Sequence, residues 1–150
     1  MDDNIYQRLF KLLIEENAEA LWRQTIQDYL ESGNELTVSN YSNGWSLLHY
    51  AAENIFSELV IMLLEQGLDV DIPAFNGSTA YLVALDAVID SAVQENDAEI
   101  DFSIVDVLVQ HGADVNVSSI DGISRDSLLS QYGARATEEY YKYFPKQIMS

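Results

Sequence analysis

The 150-residue chain has no cysteine, which rules out a disulfide framework and a thiolate metal centre. Positive charge is nearly as scarce. Seven lysines and arginines stand against 25 acids, giving a formal charge of −18. The bases sit at Arg8, Lys11, Arg23, Arg125, Arg135, Lys142 and Lys146, so none lies between Gln24 and Ser124, a span holding 17 of the acids. A stretch so charged repels nucleic acid and anionic membrane and draws in basic partners. Solubility alone is the competing reading of that charge. No apolar run approaches bilayer length, and MDDNIYQRLF has neither the basic start nor the small-residue cleavage site of a secretory signal. A cytoplasmic location is expected.

What the chain does have is an ordinary apolar content, 48 %, and a repeat. NGWSLLHYAAENIFSELVIMLLEQGLDVDIPAF (43–75) aligns with a second copy. That copy opens NGSTAYLVALDAV at Asn76 and closes SIVDVLVQHGADVNVSSI at Ile120. The Asn-Gly pairs are 33 residues apart, and Asp121-Gly122 opens another unit 45 residues on. In each copy a hydroxyl two residues after the turn glycine (Ser46, Thr79, Ser124) is placed to cap a helix. An alanine-rich segment follows. Then come apolar pairs four apart, Leu59/Val60 with Leu63/Leu64 and Ile104/Val105 with Leu108/Val109, which share one helical face. Gly67 and Gly112 end these second helices, where a left-handed backbone is needed.

These residues resemble the ankyrin repeat. The resemblance rests on Asn43-Gly44-x-Ser46-x-Leu48-His49-x-Ala51-Ala52, on Gly67-x-Asp69-Val70-Asp71, and above all on Gly112-Ala113-Asp114-Val115-Asn116. It covers about residues 41–133, and weakly Thr25–Gly33 as the second helix of a degenerate first repeat. The fold class it implies is all-α: an ankyrin-repeat solenoid of about four helix-turn-helix units with degenerate end caps. The expected division is 1–42 as N-terminal cap, 43–75 and 76–120 as repeats, and 121–150 as C-terminal cap. Resemblance also implies that Asp114 and Asn116 brace the turn between repeats, that His49 ties one turn to the next, and that His111 is a surface residue at a helix end. The Ile5–Ile14 segment and the aromatic run Glu138–Phe144, stopped by Pro145, read as caps, with a self-association surface as the second reading of the tyrosines.

The second repeat is 12 residues longer than the first, with the excess near Asp90–Asp101 and rich in acids. It reads either as a binding loop or as a lengthened first helix (Tyr81 to about Val93) followed by a solvated loop. Asp97, Glu99 and Asp101 alternate like the start of an EF-hand loop. However, Phe102 stands where that loop needs glycine and Leu108 where it needs glutamate, so a calcium loop is rejected. By repeat position, turn tips and the concave face bring partner-binding candidates at Tyr41, Trp45, Glu53, Asn54, Phe75, Asp86 and Tyr132. The insert adds Glu95, Asp97, Glu99 and Asp101. Trp45 is the preferred anchor.

No catalytic residues, cofactor or metal site are expected, since no nucleophile–base pair or glycine-rich phosphate loop is legible. The expected function is a non-catalytic protein-binding module, most concretely an acidic immunity-type inhibitor that covers a basic bacterial toxin or enzyme. A general adaptor without inhibitory action is the alternative, and self-association remains open.

Overall fold

A computed structural model describes residues 19–32 and 43–147. Helix α1 (Glu19–Glu31) is followed by three antiparallel pairs: α2 (Leu47–Glu53) with α3 (Ser57–Glu65), α4 (Ala80–Gln94) with α5 (Ser103–Gln110), and α6 (Arg125–Tyr132) with α7 (Ala134–Tyr143). A 3-10 turn spans Pro145–Gln147. The expected helix Ile5–Ile14, Gly33 at the end of the degenerate first repeat, and Tyr41 lie outside the described residues. Helices α2, α4 and α6 stack side by side in one layer, and α3 and α5 in a second behind it. Alanines make that spacing possible: Ala51, Ala52, Ala80 and Ala84 are fully buried beside Leu47, Leu48 and Leu85. The apolar pairs of α3 and α5 turn inward as their four-residue spacing requires, with Leu59, Val60, Leu63, Ile104, Val105 and Leu108 all buried.

Capping follows the sequence in two units and departs from it in one. The Ser46 and Ser124 hydroxyls accept from the amides of His49 and Ser127, and those residues reach back to the cap amides. Thr79 precedes α4 but makes no side-chain cap bond, and its Oγ1 is buried without a partner. The reciprocal bond of the box is also missing, since Leu82, three residues on, has no polar side chain to reach back to the Thr79 amide. Gly67 and Gly112 hold positive φ (92° and 90°) just beyond α3 and α5, as their cap role demands.

Successive turns are joined in register by one backbone bond each, Phe75 N to Asn43 O (2.9 Å) and Ile120 N to Asn76 O (2.7 Å). His49 adds a buried tie. Its Nδ1 accepts from Ser46 N, so the ring proton sits on Nε2 and is donated to Ser78 O at 2.8 Å. The brace expected from Asp114 and Asn116 proves to be shared out differently. Asp114 Oδ1 accepts from Asn116 N and fixes its own turn, whereas the bond between units runs from Asp114 N to Asp71 Oδ1 of the preceding repeat. Asp71 occupies the position of Asn116, and Asn116 in turn accepts from Arg125 of the next unit. His111 is exposed at the end of α5. HGADVN is a joint between units.

The α6–α7 pair joins the stack through polar contacts. Tyr81 Oη on α4 meets Tyr140 Oη on α7 at 2.5 Å, and Tyr140 donates onward to Gln147 Oε1, which also accepts from Arg125 Nη1. Burial holds the Tyr81 phenol far above its ordinary pKa, so it stays neutral. Tyr140 and Phe144 pack against Phe102 at the entry to α5, and of the aromatic run's large hydrophobics Tyr143 is the one left well exposed. Most of that aromatic run is spent on packing within the stack.

Candidate protein-binding groove

On the face of the α2, α4 and α6 layer lies an open groove of about 740 Å³. Its apolar floor comes from Leu82, Val83 and Ala87 of α4 and Leu128 of α6, with Trp45, Ile55 and Ile123 at its edges. Glu53, Asp86, Asp90 and Glu95 line it, and no lysine or arginine does. The Glu53 carboxyl is held above its usual range, first by burial and then by the charge of Asp86. Tyr132 donates to Asp86 at 2.8 Å from outside the lining.

The long α4 explains why the groove is acidic. It runs 15 residues where α2 runs seven, so much of the expected insert is helix. Asp86, Asp90 and Gln94 fall four apart on one side, and Gln94 donates to Asp90 at 2.6 Å. Val83, Ala87 and Ser91 form the neighbouring row of the same helix, and all three line the groove. The end of the insert goes elsewhere. Arg135 on α7 donates to the Asp97 carbonyl and Glu139 accepts from the Ile100 amide, which ties the loop to the C-terminal cap. Asp101 accepts from Ser103 N at the start of α5, and hydrogen bonding from the Ser103 side chain first and its amide second lowers the Asp101 pKa.

Of the residues expected to bind a partner, the structure gathers Trp45, Glu53, Asn54, Asp86 and Glu95 into the groove, with Tyr132 bonded to one of them. Asp97, Glu99 and Asp101 are not among its lining. Phe75 is 64 % exposed on a turn tip, with its ring laid over Gly44. Ile120, 85 % exposed, repeats that position one unit on. Trp45 is half-buried, stacked on His49 (5.7 Å) and tilted against Tyr50 (5.0 Å), so part of its surface is spent on packing. Asp90, Ser91 and Gln94 were not named as groove residues, because the sequence left this stretch open between a binding loop and a lengthened helix; their four-residue spacing from Asp86 and Ala87 was the available signal. Ile55, which no periodicity marks, was not named either.

Among the described residues, no group of three or more His, Asp or Glu side chains is placed to hold a metal, and no helix is long and apolar enough to cross a membrane. A stack of helical pairs with turn tips along one edge and an open concave groove defines a solenoid of the protein-recognition class. A family model for ankyrin repeats, in three copies, matches residues 4–119, and the chain belongs to the ankyrin-repeat family. It is similar to the B-cell lymphoma 3 protein homolog of Mus musculus, 32 % identical over 102 residues. That match takes in 67 % of this chain and spans only 20 % of that protein's length. Ankyrin repeats are a protein–protein interaction module.

Proposed function

We propose that the protein is a non-catalytic, acidic inhibitor of the immunity type, acting in the cytoplasm by covering a basic protein such as a toxin or enzyme. One observation carries this reading: the groove lines an apolar floor with four carboxylates and no base. Apolar floor provides contact area, while the carboxylates speed encounter and select positive partners. Asp97, Glu99 and Asp101 extend the negative field beyond the groove and act on the approach rather than on the bound state. In this reading residues 121–150 serve as the closing cap.

The test is a tagged chain captured on basic proteins of its native lysate, followed by assay of the retained protein's activity. A one-to-one loss of that activity, abolished by Asp86→Asn with Asp90→Asn, supports inhibition. A partner that is bound but left active supports the adaptor instead. Asp97→Asn, Glu99→Gln and Asp101→Asn together should slow association several-fold, on the order of the steering effects charged clefts produce, and leave dissociation unchanged.

A further inference from the structure

We infer that the groove holds one arginine side chain of the bound protein in a notch at Ser78, with its guanidinium bridging Glu53 and Asp86. This inference rests on the groove being the binding face. The residue just after each turn glycine is Trp45, Ser78 and Ile123 in successive units, and all three line the groove. Because backbone bonds hold the turns in register, the three follow one another from unit to unit. The smallest stands between the two largest, and a gap results.

Ser78 is itself unusual. It is 9 % exposed, its amide donates to Asn76, and its carbonyl accepts from His49 and Ala74. Ser78 lines the groove, and its hydroxyl is not sealed off from it. A bound donor can reach it. Two carboxylates from different helices, Glu53 at the end of α2 and Asp86 on α4, face the same groove with no cation between them. Burial, and after it the Asp86 charge, holds the Glu53 carboxyl above its usual range.

Chemistry chooses among cations. A metal is disfavoured because no three carboxylates among the described residues converge. A lysine ammonium is compact and strongly hydrated, poorly matched to the floor of Leu82 and Val83. A guanidinium is weakly hydrated, stacks on aromatic surface such as Trp45, and presents five donors in one plane. Those donors suffice for two carboxylates and one hydroxyl at once, and the aliphatic stem fits between Trp45 and Ile123.

The test uses N-acetyl-arginine amide as probe, titrated into the full chain and followed by two-dimensional NMR, with the lysine and norleucine amides as comparators. Saturable shifts at Ser78, Ile123 and the Trp45 indole are expected. Binding should be at least about tenfold weaker for either comparator, the scale of one lost charge-assisted contact. Ser78→Leu should abolish the shifts by filling the notch. Glu53→Gln with Asp86→Asn should weaken them while leaving the notch open, which separates charge from shape if the leucine variant folds poorly. Equal binding of lysine or norleucine overturns the arginine assignment and leaves the groove reading standing. Shifts spread over all surface acids without saturation overturn the notch outright. Arginine held at Ser78 alongside capture of a partner that stays fully active when bound overturns the inhibitor reading alone.

Discussion

Single residues depart from the repeat in ways that stability measurements resolve. Thr79 sits where Ser46 and Ser124 cap, yet its hydroxyl is buried and unsatisfied. Thr79→Val keeps the shape and removes that hydroxyl, so chemical denaturation should find it neutral or more stable by up to about 1 kcal/mol. Ser46→Ala should instead cost about 1 kcal/mol, since it removes a working cap. Ile55 and Asn96 occupy the same place beyond α2 and α4, both with left-handed backbone (φ 54° and 55°). Asparagine tolerates that conformation and a β-branched residue does not. Ile55→Asn should raise stability by about 1 kcal/mol while weakening partner binding, because Ile55 is an exposed apolar edge of the groove. His49 and Glu53 give stability an acid dependence of opposite signs. Burial lowers the His49 pKa from 6.5, so below that pH the unfolded chain takes a proton that the folded chain refuses, and stability is lost. Glu53 has its pKa raised from 4.5, so further acidification protonates the folded state first and returns stability. Thermal melts from pH 7.5 to 5.5 should fall, and the slope should flatten in His49→Gln. An unchanged slope would assign the loss to another group.

At the scale of elements, α4 organises most of what is distinctive. Its first half packs like any repeat helix, and its second half carries the acidic row beside the groove floor. The loop that follows is anchored by the Ile100 amide, which donates to Glu139 at 2.8 Å. A hydrogen bond to a charged acceptor contributes about 1.5–3 kcal/mol, so Glu139→Ala should speed exchange of the Ile100 amide by roughly tenfold to a hundredfold. Exchange unchanged at Ile100 would mean the loop is held by Arg135 alone. Elements of this kind were legible in the sequence to different depths. The apolar pairs of α3 and α5, the glycines at 67 and 112, and the caps at Ser46 and Ser124 follow from local chemistry, and local chemistry is what a sequence displays. The partition of residues 90–101 between helix and loop was left open, because acidic residues suit an exposed helix end and a solvated loop equally. Which acids meet in the groove depends on stacking between units, and only five of the expected site residues are gathered there. The true inter-repeat acceptor, Asp71, was hidden because it acts 43 residues away in its neighbour's turn.

The whole molecule segregates its charge. Arg23 pairs with Glu58 and Arg135 with Glu139, while Arg125 is 6 % exposed and bonded to Asp126, Gln147 and Asn116. Those bases make contacts within the scaffold, and no lysine or arginine lines the groove beside its carboxylates. The Tyr81–Tyr140 contact has a bearing on timing as well. Its two halves are 59 positions apart, and the groove needs Ile123, Leu128 and Gln131 for its far edge. A chain emerging from the ribosome makes α2 and α4 first and the closing pair well after. The groove's far edge therefore forms only once α6 has been made and packed against α4.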